Sequence, residues 1–355
     1  MSDLQANVTE RITATVEAIL AESDTPGASV AISVDGTLVC ARGIGFSDRD
    51  GSEVLQRDAQ FSIYSVTKTI LAIALMRLVE SGRISLEETI QAILPEVPID
   101  RSITLRQLLN HTSGLPDYST LPEYSRDLRR DPGTPWTDDE FLERTMRQGY
   151  LFPPGEGWAY SNIGYLLVRR TVERITGQRL AVALADLVFE PLGLGTTTVI
   201  TSLADTARLT PAYSRQLDEA GDAVEISRRY HPGWVSHGVV CSTAEETAGV
   251  LGALTSHTLL QPRTVSVMYG AVAVPASHPL FRTPAYGLGL MIDLDAPYGL
   301  VVGHTGGGPG YSAAAYHFPD VKGRNVTVGA LANGDVGDPA TRVTFAIVKQ
   351  LEQTW

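Results

Sequence analysis

Alternating apolar and polar residues near the amino end predict a β-hairpin. The apolar positions are Val30, Ile32, Val34, Leu38 and Cys40, and the turn between the two strands is Asp35-Gly36. The preceding residues 1–23 instead carry apolar side chains at helical spacing, at Leu4, Val8, Ile12, Val16, Ile19 and Leu20. We therefore predict an amphipathic surface helix followed by two antiparallel strands.

A denser apolar pattern between Thr69 and Glu80 predicts a helix that is buried on most sides. It ends at Ser81-Gly82, because glycine readily adopts the backbone conformation that terminates a helix. Ser65 therefore lies at the head of a largely buried helix.

The remaining chain changes character twice. Residues 85–230 alternate helical segments with loops rich in Pro, Gly and Asp, whereas residues 300–302, 311–317 and 325–331 are β-rich and residues 339–353 form a closing helix. Strands at both ends predict one sheet assembled from the two termini, with a helical insertion. We place the sheet domain at residues 1–70 and 235–355 and the mainly helical domain at residues 71–234.

Composition limits the partners. The chain has 355 residues, 43% hydrophobic and 19% charged, which is typical of a globular enzyme. The net charge is −12, and the basic residues form only short pairs such as Arg129-Arg130. We predict no nucleic-acid or membrane partner, because phosphate-rich surfaces repel such a chain.

The sequence lacks the signals of a membrane span, a secretory leader, a disulfide framework and a metal site. No apolar run reaches the roughly 18 to 20 residues of a membrane span, and the first residues lack the basic start of a secretory signal, so we predict a cytoplasmic protein. Cys40 and Cys241 are too few for a disulfide framework, and the seven histidines have no metal-ligand spacing. We predict no cofactor and no metal; the sequence does not indicate an oligomeric state.

Lys68 is the residue from which the chemistry follows. It is the only lysine before Lys322, the third and last being Lys349, while arginine supplies the other basic side chains. A lysine is best explained where an amine must lose its proton, which a guanidinium does not do in practice. Ser65 lies three residues earlier, so a helix puts the two side chains on one face as a nucleophile and its base.

Two further motifs follow in order: Tyr160-Ser161-Asn162 and His304-Thr305-Gly306. Each motif alone also fits a solvated helix face, a turn or a glycine loop. Together they resemble the serine β-lactamase and DD-peptidase superfamily, particularly its class C β-lactamase, DD-carboxypeptidase, D-amino-acid amidase and esterase branch. The resemblance covers most of the chain and includes the segments 110–115, 154–155, 286–290 and 303–311.

The resemblance implies an α+β fold in which an antiparallel sheet is flanked by helices, with a mostly helical second domain and the site between them. It implies that Ser65 attacks an acyl carbonyl while Lys68 and Tyr160 act as a coupled base. Asn162 would orient Lys68 and the acyl side chain, and Thr305, in the motif that ends at Gly306, would offer its hydroxyl to substrate. The oxyanion hole would be formed by the backbone N–H groups of Ser65 and Gly307.

Three positions refine this hypothesis. His304 stands where many relatives have lysine, so carboxylate anchoring there is expected to depend on pH; the alternative is a strand-end residue with its ring in a loop. His111, near a helix end, is predicted to be a structural hydrogen-bonding residue. Met291 stands where similar DD-carboxypeptidases have an arginine that grips the substrate carboxylate, which disfavours cell-wall carboxypeptidase activity.

The sequence therefore predicts a serine acyl hydrolase acting through a Ser65 acyl-enzyme on small esters, amides, D-amino-acid derivatives or β-lactams. Two alternatives remain open at this point. One is a true class C-like β-lactamase or DD-carboxypeptidase, and the other is a penicillin-binding sensor that acylates without turnover.

Overall fold

The computed structural model describes the backbone of residues 2–218 and 220–355, and the side chains from residue 9 onward within those ranges. The strands there are β1 (Gly27–Val34), β2 (Thr37–Gly45), β3 (Phe61–Ser62), β4 (Thr198–Ile200), β5 (Tyr213–Ser214), β6 (Val224–Glu225), β7 (Val239–Ser242), β8 (Val272–Ala273), β9 (Pro284–Tyr286), β10 (Met291–Ala296), β11 (Gly299–Gly308), β12 (Tyr311–Val321) and β13 (Arg324–Ala332). The α-helices are α1 (Ser2–Glu22), α2 (Val66–Glu80), α3 (Ile90–Ile93), α4 (Leu105–Leu109), α5 (Pro122–Arg130), α6 (Asp138–Met146), α7 (Asn162–Thr176), α8 (Leu180–Leu184), α9 (Ala244–Thr255), α10 (Pro262–Met268) and α11 (Pro339–Thr354).

The main sheet joins both ends of the chain. Within the described residues its strand order is β2-β1-β13-β12-β11-β10-β9-β8, and the neighbouring strands are antiparallel. The pairing of β1 with β13 brings Ala28 opposite Ala332, so the amino-terminal hairpin joins the sheet beside the last strand. The predicted fold class, an α+β structure with one sheet built from the two termini, is confirmed.

The hairpin itself forms where the alternation predicted it. β2 is the edge strand, and its pairing with β1 shifts register between Ile32 and Ser33. Because an edge strand has one neighbour only, its side chains are less covered, and Cys40 is half-buried rather than fully enclosed in the core. Cys40 and Cys241 are both free thiols.

One face of the sheet is covered by α1 and α11. From α1, the apolar positions Ile12, Val16, Ile19 and Leu20 are buried, as predicted, against β-strand residues and the apolar face of α11. The side chains of Leu4 and Val8, which complete the predicted stripe, lie outside the described ones. The two helices form a layer that covers this face of the sheet.

The opposite face packs against α9 and α2. Nearly every residue of α2 is buried, because the helix lies between the sheet and the helical part of the chain and contacts both β11 and α7. The helix begins one residue after Ser65. The site is therefore anchored at the centre of the larger hydrophobic core rather than on a surface loop.

The middle of the chain is mainly helical and rich in loops, as predicted, and it includes α3 to α8 with the small strands β4, β5 and β6. The small sheet β3-β7-β4 ties residues 61–62, 239–242 and 198–200 together. The division of the chain into domains at residues 70 and 235 stays a prediction. In the described residues, no helix combines the length and apolar character needed to cross a bilayer.

Candidate active site

The nucleophile candidate, Ser65, follows a residue in an unusual backbone conformation. Tyr64 has φ 42°, in the left-handed region that bulky side chains rarely occupy, and its hydroxyl donates a 2.5 Å hydrogen bond to the carbonyl of Pro309. This contact ties the start of α2 to the turn between β11 and β12. It fixes the position of Ser65 relative to the strand that passes beside it.

Lys68 points its amine at Ser65 from one turn further along. Its Nζ lies 2.9 Å from Ser65 Oγ and 2.8 Å from Asn162 Oδ1, and the side chain is fully buried. Burial lowers the pKa of Lys68 well below its usual value, and the charge of Asp117 opposes this in part. A buried lysine of this kind is available as a neutral base for the Ser65 hydroxyl.

Tyr160 approaches Ser65 from the helical side. Its hydroxyl donates to Ser65 Oγ at 3.0 Å, and burial raises the pKa of Tyr160 above its ordinary value. The phenol therefore keeps its proton near neutral pH. Ser65 Oγ thus lies between two groups that exchange protons, an amine on one side and a phenol on the other.

His111 supports this arrangement without touching Ser65. Its Nδ1 accepts a 3.1 Å hydrogen bond from the Ser161 N–H, its carbonyl accepts one from Ala159, and its ring lies 4.3 Å from the ring of Tyr160 between centroids. The ring is fully buried, and burial lowers the pKa of His111 well below its usual value. His111 makes hydrogen bonds of the predicted kind, and its structural role stays a prediction.

Two residues near Lys68 were missed by the sequence motifs. Asp117 holds the amide of Asn162 through both carboxylate oxygens, at 3.1 Å each. His237 is buried, and its ring nitrogens lie 3.5 and 3.4 Å from Lys68 Nζ. These nearly equal distances put the amine over the imidazole ring rather than in line with one nitrogen. Burial lowers the pKa of His237 well below its usual value, so the ring is neutral.

The third motif brings β11 against the start of α2. Gly306 is in such close contact that a Cβ there would lie 2.1 Å from the Ile63 carbonyl oxygen and 3.1 Å from the Ser65 nitrogen. At Gly307 a Cβ would meet nothing within 4 Å. Only glycine at position 306 therefore lets the strand reach Ser65. In the described part of the chain, the Ser65 N–H has no hydrogen-bond acceptor.

Beside the nucleophile, β11 has a free edge. β10 pairs with β11 only as far as Gly303, so residues 304–308 bond to β12 on one side and have no neighbouring strand among the described residues on the other. An unpaired strand edge presents backbone N–H and C=O groups to an extended ligand. This edge lies next to Ser65, where Gly306 contacts the start of α2.

His304 differs from the expectation. It is 2% exposed; its Nδ1 donates to the Thr305 carbonyl at 2.5 Å and its Nε2 accepts a 2.7 Å hydrogen bond from the Tyr286 hydroxyl. Burial lowers the pKa of His304 to about 3. The expected change of charge near pH 7 is therefore wrong, because both ring nitrogens are used and water is excluded. His304 supports the motif strand as a neutral, fully bonded residue.

The side chains of Thr305 in β11 and Met291 in β10 are in contact. Thr305 is half-buried, and its hydroxyl contacts the Met291 sulfur at 3.6 Å. A cleft of about 330 Å³ runs along this part of the strand, lined by residues 305–308 together with Gln216, Tyr311, Ser312, Asp335 and Asp338. Its lining contains two carboxyl groups and no basic side chain. A substrate carboxylate here would meet no cation.

The described residues contain no cluster of three or more His, Cys, Asp or Glu side chains suited to a metal ion. The groups gathered at Ser65 are its own hydroxyl, the amine of Lys68, the phenol of Tyr160 and the free backbone N–H of Ser65. This set of groups suits acyl transfer, in which a proton must leave the nucleophile and a negative oxygen must be stabilised.

Comparisons with known proteins agree with this arrangement. The model of the family described as Beta-lactamase matches residues 12–352. Penicillin-binding protein 4* of Bacillus subtilis is 26% identical over 81% of this chain and 66% of its own length. Esterase EstB of Burkholderia gladioli is 35% identical over 53% of this chain and 51% of its own. This chain thus spans less than two thirds of the length of these curated relatives.

A solved structure covers nearly the whole chain. The D-amino acid amidase of Ochrobactrum anthropi, in complex with D-phenylalanine, has a TM-score of 0.79 and 25% sequence identity, with 98% of each chain covered. Similarity therefore extends over the sheet, the helical part and the site between them.

Proposed function

Because the chain belongs to the Beta-lactamase family, we propose that it is a serine hydrolase that acts through an acyl-enzyme on Ser65. The observation that carries the proposal is the buried, low-pKa amine of Lys68 at 2.9 Å from Ser65 Oγ, with the Tyr160 hydroxyl at 3.0 Å. Relatives of this chain include an esterase, a D-aminopeptidase and a D-amino acid amidase.

Acylation begins when neutral Lys68 takes the Ser65 proton and Oγ attacks the substrate carbonyl carbon. The carbonyl oxygen becomes negative and is stabilised by the free Ser65 N–H, with Gly307 on the adjoining strand edge as the proposed second donor. Each such donor contributes about 3 to 4 kcal/mol in comparable sites. The free edge of residues 304–308 holds the substrate extended beside the nucleophile.

The leaving group then needs a proton. Tyr160 donates its phenolic proton to the leaving nitrogen or oxygen, the bond to the carbonyl carbon breaks, and the proton held by Lys68 neutralises the phenolate. One proton has then moved from Ser65 to the leaving group, and the ester of Ser65 remains. Hydrolysis reverses these roles, with water as nucleophile and Ser65 as leaving group.

The substrate class follows from the cleft beside Thr305. We propose that small esters and amides without a carboxylate next to the scissile bond, including D-amino-acid derivatives, are preferred over β-lactams and D-Ala-D-Ala peptides. The two carboxyl groups of Asp335 and Asp338, and Met291 where a basic residue would grip a carboxylate, support this preference. A cytoplasmic location is part of the same proposal, compatible with the free thiols of Cys40 and Cys241.

Mass spectrometry after incubation with an activated ester tests the reaction. We expect one acyl adduct, located on Ser65, which disappears in Ser65→Ala and is lost almost completely in Lys68→Arg, since arginine keeps the charge and removes the base. Lys322→Arg is the matched control and should acylate normally. An adduct at another residue, or undiminished turnover by Ser65→Ala, would refute the proposal.

A paired substrate series tests the preference and the two alternatives. Nitrophenyl esters and D-amino-acid amides should be hydrolysed with a higher kcat/KM than matched compounds that carry a carboxylate beside the scissile bond, nitrocefin and D-Ala-D-Ala peptides included. Faster hydrolysis of the carboxylate-bearing compounds would favour a β-lactamase or carboxypeptidase. A stoichiometric burst with no steady-state turnover would identify a penicillin-binding sensor.

A further inference from the structure

Asp117 acts on the catalytic lysine without touching it. We propose that Asp117 is a positioning residue, which fixes the amide of Asn162 in one orientation and, through it, sets the proton affinity of Lys68. The inference rests on the proposed function for its catalytic meaning, whereas the link between Asp117 and Lys68 can be measured without any substrate.

The contacts form a continuous path. Asp117 Oδ1 accepts hydrogen bonds from the backbone N–H of Asn162 at 3.2 Å and from its Nδ2 at 3.1 Å, and Asp117 Oδ2 accepts a second one from Nδ2 at 3.1 Å. On the other side of the amide, Asn162 Oδ1 lies 2.8 Å from Lys68 Nζ. The amide therefore lies directly between a carboxylate and the catalytic amine.

This path allows one amide orientation. A carboxylate only accepts hydrogen bonds, so it selects the NH₂ group of Asn162, and the amide oxygen must then face Lys68. The reversed amide would put oxygen against carboxylate. It would also put NH₂ against the N–H groups of an amine that is protonated or has its lone pair directed at the Ser65 hydroxyl, so both contacts would be repulsive. Asp117 thus guarantees that Lys68 meets an acceptor at this position.

The carboxylate also acts through its charge. Asp117 is half-buried, and it is the one acidic group in the described residues whose charge raises the pKa of the buried Lys68. The other titratable groups facing the amine are Tyr160, Tyr165, His111, His237 and His304. The burial that lowers the pKa of all three histidines keeps them neutral, and burial raises the pKa of both tyrosines. Asp117 therefore provides the negative charge that stabilises the ammonium formed when Lys68 accepts the Ser65 proton.

The lysine content of the chain makes a direct measurement practical. With ¹³Cε-labelled lysine only three signals are expected, from Lys68, Lys322 and Lys349, and Lys68→Arg identifies the first. Asp117→Asn should move the Lys68 titration to lower pH by on the order of one pH unit, since an opposite charge at this range favours the charged amine. The titrations of Lys322 and Lys349 should not move.

Acylation provides the catalytic readout. In Asp117→Asn the rate plateau should fall roughly tenfold or more, because the base is weaker, and the acidic limb of the pH profile should move to lower pH together with the Lys68 titration. Ser119→Ala is the matched control: it removes a 2.7 Å hydrogen bond to Asp117 Oδ2 and keeps the carboxylate. The pH profile of acylation in Ser119→Ala should match that of the unmodified chain.

An unchanged Lys68 titration in Asp117→Asn would overturn the proposal. A lower rate plateau with an acidic limb at the same pH would also overturn it, because Asp117 would then only hold its loop in place. Asp117→Ser provides a second uncharged variant should Asp117→Asn fail to fold, and Asp117→Glu should keep the Lys68 titration close to that of the unmodified chain. If the unmodified chain fails to acylate Ser65 while Asp117→Asn still moves the Lys68 titration, the proposed function fails and the electrostatic link remains.

Discussion

His237 and Asp117 influence Lys68 in opposite directions. The ring nitrogens of His237 lie 3.4 and 3.5 Å from the amine, and we expect the ring to keep water from it and so to disfavour the ammonium form, whereas the carboxylate of Asp117 favours that form. The proton affinity of Lys68 is a balance between these two neighbours. Neither belongs to the motifs that carry Ser65, Tyr160 and His304.

His237→Ala should raise the pKa of Lys68. Removing the ring admits water next to the amine, so the penalty for charging it falls. The acidic limb of the acylation profile should therefore move to higher pH, and the rate at pH 7 should fall about tenfold for every pH unit by which the limb moves above pH 7.

The exposed His257 provides the control, since His257→Ala should leave the profile in place. Acylation rates measured between pH 5 and pH 10 for both variants test the predicted shift of the acidic limb. If the acidic limb of the acylation profile stays at the same pH in His237→Ala, or moves to lower pH, the ring does not shield the amine from water.

At the scale of elements, the site depends on how closely β11 approaches the start of α2. Gly306→Ala should push the two apart, because the added Cβ would lie 2.1 Å from the Ile63 carbonyl oxygen, a backbone atom that cannot turn away. We expect a destabilisation of about 1 to 3 kcal/mol from overpacking and a large loss of acylation.

Gly307→Ala is the steric control on the adjoining position, where the added Cβ has open space. It should unfold at the same temperature as the unmodified chain, whereas Gly306→Ala should unfold at a lower one. Thermal unfolding of the two variants provides the comparison. Equal stability of Gly306→Ala and Gly307→Ala would argue against close packing as the reason for glycine at position 306.

The elements were predictable where a local pattern encodes them. The hairpin of β1 and β2, the helix after Ser65 and the carboxyl-terminal strands follow from alternation and helical spacing within short segments. The first two motifs also identified four residues that the structure brings together: Ser65, Lys68, Tyr160 and Asn162.

The rest of the site depends on contacts between distant segments. Asp117 meets Asn162 across 45 positions and His237 meets Lys68 across 169, and no local spacing records such pairings. The neutral state of His304 could likewise not be predicted from the sequence, because it follows from burial and from the hydrogen bond with Tyr286 rather than from the motif. A buried polar residue beside a motif lysine leaves no periodic signal in the sequence.

At the scale of the whole molecule, the histidines couple folding to pH. Burial lowers the pKa of six of the seven histidines, namely His111, His231, His237, His278, His304 and His317. In the unfolded chain they recover an ordinary pKa near 6.5. The unfolded state therefore binds more protons than the folded state below about pH 6.5.

Stability should consequently fall as the pH falls from 7.5 to 5.5. Each fully buried histidine reduces the free energy of unfolding by up to about 1.4 kcal/mol per pH unit below the unfolded pKa, and the partly exposed ones by less. Urea unfolding at pH 7.5, 6.5 and 5.5 measures this slope. His317→Gln should reduce it, and a free energy of unfolding that is constant or higher at pH 5.5 would contradict the account.

The unpaired edge of β11 has a consequence for how this scaffold acquires new substrates. Residues 304–308 include three glycines, and their main-chain groups are indifferent to the side chains of whatever binds along this edge; Thr305 adds one hydroxyl. Recognition of a particular acyl or leaving group is left to the walls, such as the loop that carries Asp335. Exchanging wall residues can therefore change the substrate range of the proposed hydrolase while the strand and the proposed reaction stay the same.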